Sequence, residues 1–225
     1  MEKLLEKARQ SLQQADAVLI GASNGLSIAE GYNIFADNTM FRSQFGSFHK
    51  RFGICSVIDG CFHNYPSEND RCEFLSQLIE SWVKRYRPSQ VMDDLRAIIG
   101  DKPYFILTTN ADTHLELSGF SSANVWEIEG TFTHLLKGKQ PDNKQMEIDK
   151  FLSRYTGKRL VVLELGIGSH NRIIKQPLMR MVEHEPNATY VTLNLPHELY
   201  VPEAIIGKSI ALPGDIAITL NRLRQ

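Results

Sequence analysis

Short apolar segments of strand length alternate with amphipathic helical segments along most of the chain. The strand-like segments lie at residues 17–20, 104–108, 124–128, 160–166, 190–195 and 208–212. Apolar residues at helical spacing mark further segments at 2–14, 111–118, 144–154, 176–184 and 215–224. Strands that are apolar throughout are buried on both faces, and the intervening helices act as crossover connections. The sequence therefore predicts an α/β fold with a parallel sheet covered by helices on both faces.

The chain of 225 residues has the length of a single domain, which we predict to span residues 1–225. Residues 31–66 are rich in aromatic, glycine, asparagine and serine residues and show no sustained period. We interpret them as a long, partly ordered loop region. Apolar stripes at residues 74–83 and 91–99 predict two helices after it. Residues 31–100 are thus expected to form a small inserted helical and loop module.

Composition excludes several classes of function. Lys and Arg total 25 against 26 Asp and Glu, a net charge of −1, so there is no basic field to hold nucleic acid. No apolar run reaches the ~18 residues that span a bilayer, and the charged N-terminus does not resemble a secretory signal. Three cysteines fit a reducing compartment better than a disulfide scaffold. We therefore predict a cytoplasmic protein with no nucleic-acid or membrane partner.

A glycine-rich turn follows the first predicted strand directly. It consists of Gly21, Ala22, Ser23, Asn24 and Gly25. A strand that runs into such a turn opens a nucleotide-binding unit, because glycine lets a pyrophosphate approach the backbone and the next helix offers amide donors. The alternative is a tight strand-to-helix turn that binds no ligand, since the spacing is not GxGxxG.

Polar residues also follow the second and third predicted strands. Thr109, Asn110 and Asp112 come after the second. Asn110 offers a donor and an acceptor and Asp112 a charge, which suits a carboxamide, a ribose or a developing cation; the alternative is a helix N-cap. After the third strand, either Glu127 or Glu129 should point into a cleft and hold a ribose hydroxyl or stabilise an oxocarbenium ion. The alternative there is a solvated surface carboxylate.

Gly166, Gly168 and Ser169 follow the fourth predicted strand, and Asn194 ends the fifth. Each of these alone is a turn or a polar strand end. Because the carboxyl ends of parallel strands meet at one edge, all five motifs fall on the same edge of a Rossmann-like sheet. Ligands bind there, near a switch in strand order.

The order of these motifs resembles the sirtuins, NAD-dependent enzymes with a Rossmann domain and a small inserted module. The opening GAG-x-S of the family is similar to residues 21–25, and its TQNxD is similar to residues 108–112. Its E-L-H-G-S resembles residues 127–131. Its G-T-S turn and late I-N resemble residues 166–168 and 193–194.

The resemblance implies that NAD binds as a co-substrate, with its pyrophosphate on the first turn and its adenosine end at the fourth and fifth strands. The cofactor-binding residues that it implies are Gly21, Ala22, Ser23, Asn24, Gly25, Thr109, Asn110, Asp112, Gly166, Gly168, Ser169 and Asn194. The catalytic residues that it implies, against the nicotinamide ribose, are Asn110, Asp112 and Glu129.

Several residues depart from the common sirtuin pattern. Glu129 stands where the family has its general-base His, and Thr109 where it has Gln. No cysteine follows Cys72, so the family's zinc module is not expected, and the earlier cysteines lack the spacing of zinc ligand pairs. We therefore expect no metal. Loss of the His together with L-E-L-G-x-G at residues 163–168 resembles the class M sirtuins, the macrodomain-linked microbial branch, whose members transfer ADP-ribose to a protein, often a lipoyl carrier.

The chemistry of Glu129 favours transfer over deacylation. A neutral imidazole suits the base that deacylation needs, whereas a carboxylate suits a positively charged transition state. We therefore predict a sirtuin-type protein ADP-ribosyltransferase that cleaves the nicotinamide–ribose bond of NAD. Its expected partners are NAD, a lipoyl carrier or other protein acceptor, and a macrodomain hydrolase. The alternatives are an NAD glycohydrolase, a non-catalytic NAD or ADP-ribose sensor, and a residual deacylase.

Overall fold

The computed structural model describes residues 1–225, and its centre is one parallel sheet of six strands. The strands are β1 (Ala17–Ala22), β2 (Tyr104–Thr108), β3 (Val125–Glu127), β4 (Leu160–Leu165), β5 (Thr189–Asn194) and β6 (Ser209–Pro213). Their spatial order is β3-β2-β1-β4-β5-β6, and every neighbouring pair is parallel. The order reverses between β1 and β4, which is where such sheets bind ligands. The predicted Rossmann-like parallel sheet is confirmed.

Eleven α-helices surround the sheet or stand beside it. They are α1 (Glu2–Gln14), α2 (Asn24–Ala29), α3 (Thr39–Phe52), α4 (Val57–Phe62), α5 (Glu68–Leu78), α6 (Gln90–Ile99), α7 (His114–Leu117), α8 (Phe132–Lys137), α9 (Gln145–Tyr155), α10 (Lys175–His184) and α11 (Ile216–Arg224). A π-helical segment, Ile79–Lys84, continues α5. None of the helices combines the length and the apolar character that crossing a lipid bilayer requires.

Two apolar cores lie on opposite faces of the sheet. Side chains of α1, α2, α6 and α11 cover one face, and those of α9 and α10 cover the other. In β1, Val18 and Ile20 face the first core while Ala17 and Leu19 face the second. All four are fully buried, which explains why the strand reads as a continuous apolar run.

A third, aromatic core joins α3, α4, α5 and α8 beside the sheet. Its centre includes Phe41, Phe45, Phe48 and Phe74, with neighbouring ring centroids 5.1–5.4 Å apart. The prediction of a loop region over residues 31–66 is therefore wrong for α3 and α4. The phenylalanines of α3 recur at helical spacing, but polar residues interrupt the pattern and the helix is kinked at Phe45.

Local backbone geometry also makes some helices differ from those predicted. The helix predicted at 111–118 is only the four-residue α7, because Thr113 before it adopts the left-handed conformation with φ of 58°. The helix expected after the glycine-rich turn is the short α2, which begins within the turn at Asn24, and the short helix α8 was not predicted. At the start of α8 the Thr131 hydroxyl accepts a hydrogen bond from the His134 N–H, and His134 Nδ1 accepts one from the Thr131 N–H. This capping box satisfies two backbone donors that have no partner within the helix.

Candidate active site

A cleft of about 380 Å³ opens at the carboxyl ends of the strands, between the sheet and the aromatic core. Its floor is polar and its walls are mostly apolar. The floor and rim include five residues predicted for the site, namely Asn24, Thr109, Asn110, Asp112 and Glu129. Apolar side chains from α4 and α8, among them Ile58, Phe62 and Leu135, form the walls. The cleft is thus a pocket with an apolar entrance and convergent polar groups at its base.

Asn110 is held rigidly at the floor. Its Nδ2 donates to the Ser23 carbonyl oxygen at 3.2 Å and to Ser27 Oγ at 2.9 Å. Because a carbonyl oxygen can only accept, this orientation of the amide is fixed. Asn110 Oδ1 is buried and has no hydrogen-bond partner. A buried acceptor without a donor costs about 1–3 kcal/mol, so this oxygen suits a donor brought by a ligand.

Asp112 is tied to the same network. Ser27 Oγ donates to its Oδ2 at 2.5 Å, and the backbone N–H of His114 donates to its Oδ1 at 3.1 Å. The hydroxyl of Ser27 therefore accepts a hydrogen bond from Asn110 and donates one to Asp112. Ser27 was missed from the sequence because it lies one turn into α2, where a serine has no distinctive signal.

The two candidate glutamates occupy different environments. Glu129 is exposed at the rim of the cleft. Glu127, at the end of β3, lines no part of this cleft and is partly buried. Burial, together with the nearby carboxyl groups of Glu116 and Asp112, raises the pKa of Glu127 to about 8. The structure therefore places Glu129, rather than Glu127, where a ligand can reach it.

The raised pKa of Glu127 predicts a pH-dependent effect of Glu127→Gln on stability. A carboxyl whose pKa is raised on folding stabilises the protein below its unfolded pKa, and that contribution is lost as the pH rises toward about 8. We expect the variant to match the wild type at pH 5 and to exceed its free energy of unfolding at pH 9. Urea unfolding at both pH values measures this. The control Glu147→Gln, at an exposed position, should differ from the wild type equally at both pH values. The same free-energy difference at pH 5 and pH 9 for Glu127→Gln would contradict the pKa shift.

The predicted glycine-rich turn divides into two parts. Gly21 and Ala22 lie within β1 and are buried by its neighbours, so they do not line the cleft. A Cβ at Gly21 would approach Leu178 Cδ1 of α10 to 2.4 Å. The absence of a side chain at Gly21 is thus required by helix packing on the far face of the sheet. Of the rest of the turn, only Asn24 lines the cleft, while the Ser23 carbonyl oxygen accepts from the Asn110 amide.

Gly25 meets Gly166 at the switch point. A Cβ on Gly25 would lie 2.5 Å from Gly166 Cα, and the Gly25 N–H donates to the Gly166 carbonyl oxygen at 3.1 Å. Gly166 itself has φ of +62°, which glycine adopts without strain. Beside them, the hydroxyls of Ser23 and Thr109 are hydrogen-bonded at 2.9 Å. The β1 and β4 turns therefore touch through their backbones.

The remaining predicted residues lie across the switch point, outside the 380 Å³ cleft. Asn194 Nδ2 donates to the Ile167 carbonyl oxygen at 2.9 Å. The Ser169 N–H donates to Glu198 Oε2 at 2.8 Å, and this hydrogen bond lowers the pKa of the Glu198 carboxyl. A Cβ on Gly168 would lie 3.7 Å from the same Glu198 Oε2. The structure thus brings Gly166, Gly168, Ser169 and Asn194 together at the β4–β5 end of the same edge.

A buried ion pair supports this second turn and was not predicted. Glu164 and Lys175 have side chains with 0% exposure, and Lys175 Nζ lies 3.2 Å from Glu164 Oε2. Lys175 also donates to the Ile167 carbonyl oxygen at 3.0 Å, and Glu164 Oε1 accepts the Ile167 N–H at 2.8 Å. The hydroxyls of Tyr190 and Thr192 complete the partners of the carboxylate. The buried ion pair therefore fixes the backbone of residues 166–168 through its hydrogen bonds to Ile167.

The three cysteines lie in different environments. Cys61 lines the cleft wall, and burial raises the pKa of its thiol to about 12. Cys55 is exposed and Cys72 is half-buried. Nowhere does the structure bring three or more His, Cys, Asp or Glu side chains together in a group able to hold a metal ion.

Comparison with known proteins gives relatives of low identity and a clear fold match. No protein-family model matches the chain. A curated protein ADP-ribosyltransferase of Staphylococcus aureus (strain Mu50 / ATCC 700699) is 22% identical over 276 aligned residues, covering 97% of this chain and 86% of that protein. A probable bifunctional ADP-ribose hydrolase/ADP-ribosyltransferase of Fusarium oxysporum f. sp. cubense is 29% identical over 135 residues, 58% of this chain and 22% of that protein.

The solved structures confirm the fold that the sequence motifs implied. A structure from work on the mechanism and regulation of Sir2 enzymes superposes with a TM-score of 0.58 at 12% identity. The match covers 99% of this chain and 97% of the other. The chain therefore has the fold of the Sir2 enzymes.

Proposed function

We propose that the chain is an NAD-dependent protein ADP-ribosyltransferase of sirtuin type. The proposed reaction breaks the bond between nicotinamide and ribose C1′ and forms a bond from C1′ to a nucleophile on an acceptor protein, which loses a proton. Two relatives carry ADP-ribosyltransferase in their names, and one of them aligns with 97% of the chain. The fold of the Sir2 enzymes supports the same reaction class.

The observation that carries the proposal is the unpartnered Asn110 Oδ1 at the floor of the cleft. A carboxamide N–H or a ribose hydroxyl would satisfy this acceptor, and NAD carries both groups at its nicotinamide end. The neighbouring Asp112 adds a carboxylate, which is held in place by the Ser27 hydroxyl. We therefore assign the nicotinamide ribose to Asn110 and Asp112.

The rest of NAD is assigned to the strand edge on either side of the switch point. We propose that the pyrophosphate lies along Ser23, Asn24 and Gly25, with Thr109 beside it. The adenosine end would reach Gly166, Gly168, Ser169 and Asn194. Gly21 and Ala22 are left out of this assignment because both lie within β1. Residues 31–100 are proposed as an inserted module that contributes the opposite wall.

Glu129 is proposed to act on the charge that develops at the ribose. The transition state of nicotinamide loss is oxocarbenium-like, and a carboxylate at the rim stabilises a positive charge at C1′. A glutamate is a weaker base than the histidine that deacylation needs, which favours transfer over deacylation. No step of the proposed reaction requires zinc.

The acceptor and partners belong to the proposal as well. A lipoyl carrier or another cytoplasmic protein would supply the nucleophile, as in the macrodomain-linked sirtuins that the motifs resemble. The Fusarium relative is named for both an ADP-ribose hydrolase and a transferase, which supports pairing with a macrodomain hydrolase. A cytoplasmic location is proposed from the sequence alone.

The test follows the label from adenylate-labelled NAD in purified protein, with and without a lysate of the source cells. We expect label on a protein band. Glu129→Gln should slow nicotinamide release about tenfold, because a charge about 4 Å from the reacting centre stabilises it by about 1 kcal/mol in a water-like dielectric. The matched control is Glu147→Gln, since Glu147 is exposed and lies in α9 outside the cleft.

Each alternative has its own outcome in this assay. Label found only in free ADP-ribose would indicate an NAD glycohydrolase. Intact NAD together with nucleotide binding by calorimetry would indicate a sensor, and deacylation of an acyl-lysine peptide would indicate a residual deacylase. Unchanged nicotinamide release in Glu129→Gln would remove Glu129 from the mechanism.

A further inference from the structure

His114 is buried directly behind the floor of the cleft, with a side chain that is 1% exposed. Its Nδ1 lies 3.1 Å from Glu30 Oε2, and its Nε2 lies 2.8 Å from the Trp82 carbonyl oxygen. A carbonyl oxygen can only accept, so Nε2 donates to Trp82. Nδ1 faces an oxygen of the Glu30 carboxyl group, and a proton on this nitrogen as well makes the ring an imidazolium paired with Glu30.

The surroundings of the ring suit a cation. Tyr86 stacks on one face at a centroid distance of 3.8 Å, and Tyr32 approaches edge-on at 4.5 Å. Stacking of this kind places the ring against the π electrons of Tyr86, which attract a positive charge. The Glu30 carboxylate is fixed in turn, because Tyr86 Oη donates to its Oε1 at 2.7 Å and Ser89 Oγ at 2.6 Å.

His114 also bears on Asp112 in two ways. Its backbone N–H donates to Asp112 Oδ1, and its Nδ1 lies 3.8 Å from Asp112 Oδ2. One buried cation is thus shared between two carboxylates, Glu30 and Asp112. Without this charge the two carboxyl groups would share a buried region with no positive group between them, and Asp112 would lose the contact that orients its Oδ2.

We propose that His114 is a positioning residue, an imidazolium paired with Glu30 that holds the Asp112 side chain in place at the floor of the cleft. This inference rests on the proposed function, because it assigns Asp112 to the ribose. It also ties the site to the aromatic core, since Trp82, whose carbonyl oxygen accepts from His114, belongs to that core.

The pH dependence follows from the groups that face the ring. Burial alone would lower the pKa of His114, but the hydrogen bond to Glu30 and the charges of Asp112 and Glu30 raise it above its ordinary value. The two tyrosines stay neutral because burial raises the pKa of each. The imidazolium is complete at low pH and is lost as the pH rises through the raised pKa of His114. Activity should therefore fall on the alkaline side.

The experiment compares the wild type with His114→Gln, Glu30→Gln and the control His184→Gln, an exposed histidine at the end of α10. Nitrogen NMR of the free protein reports whether both nitrogens of the His114 ring carry protons at pH 7. Nicotinamide release from NAD gives kcat and KM across pH 6–9, and thermal unfolding checks that each variant is folded.

We expect two ring N–H signals in the wild type and an alkaline limb that moves to lower pH in Glu30→Gln. His114→Gln should lower kcat about tenfold to about a hundredfold, the range for one charge-assisted hydrogen bond, with a smaller change in KM. A neutral His114 ring at pH 7 would overturn the inference whether or not the protein turns over NAD. A folded His114→Gln with wild-type kcat and an unmoved alkaline limb would also overturn it.

The inference is separable from the proposed function. If the wild type releases no nicotinamide, the proposed function fails, and calorimetric affinity for NAD then carries the test. Weaker binding in His114→Gln, with unchanged binding in His184→Gln, supports the positioning role. Equal affinities in these two variants refute it.

Discussion

Replacing Asn110 by alanine is expected to reduce kcat/KM for nicotinamide release by about a hundredfold. Removal of one aligned polar group from an active site costs about that much or more. Asn110 is placed for this role because its Nδ2 is bound to Ser23 and Ser27 while its Oδ1 remains free for a ligand. The measurement is release of labelled nicotinamide under NAD limiting and saturating conditions.

A second variant separates the two functions of this side chain. Asn110→Asp keeps the shape but sets a carboxylate oxygen against the Ser23 carbonyl oxygen, so the floor hydrogen bond is lost. We expect it to be as impaired as the alanine variant. Asn69→Ala is the matched control, since Asn69 is an exposed residue of α5 without a side-chain hydrogen bond. Wild-type kcat/KM in a folded Asn110→Ala would show that the cleft floor does not bind the reacting part of NAD.

Lys175→Met is expected to produce the largest loss of stability. The substitution leaves the Glu164 carboxylate buried without its cation, and breaking such a pair costs about 3–5 kcal/mol. For a chain of this size that lowers the melting temperature by roughly 10 °C. Methionine matches the length of the lysine stem, so the lost charge rather than a cavity is tested. Calorimetric unfolding of the wild type and variant gives the difference.

The double variant Glu164→Gln/Lys175→Met is the control for this reasoning. It removes both charges, and the new amide oxygen at position 164 can still accept the Ile167 N–H, so we expect more than half of the lost stability to return. No recovery would mean that shape, and not charge, accounts for the loss. A stable Lys175→Met single variant would contradict the buried ion pair itself.

The sheet could be predicted because its strands are buried on both faces. Each strand core lies within a segment marked by its apolar run, and the largest boundary differences are the two extra residues of β1 and the two lost from β3. The aromatic core could not be predicted, because its packing joins Phe41 to Phe74 and Trp82 across long stretches of chain. Periodicity within one segment carries no information about such contacts.

In the cleft, too, some residues could be predicted from the sequence and others could not. Asn110, Asp112 and Glu129 each follow a strand, so their meeting at one edge follows from parallel topology. Ser27 and His114 could not be singled out, because their importance comes from hydrogen bonds to residues 85 and 84 positions away in sequence. Lys175 resembles an ordinary surface lysine until α10 is packed on the sheet, which buries it against Glu164.

The contact between Gly25 and Gly166 has a consequence for how glycine motifs are interpreted. Each glycine is required by the other, since a side chain on either would separate the two turns. Selection for this crossing would retain both glycines in a descendant that had stopped binding nucleotide. In a family alignment, invariance of these two glycines would then reflect the close backbone contact between the turns after β1 and β4. The polar side chains on either side of the crossing, rather than the glycines, would be the positions that record a change of ligand.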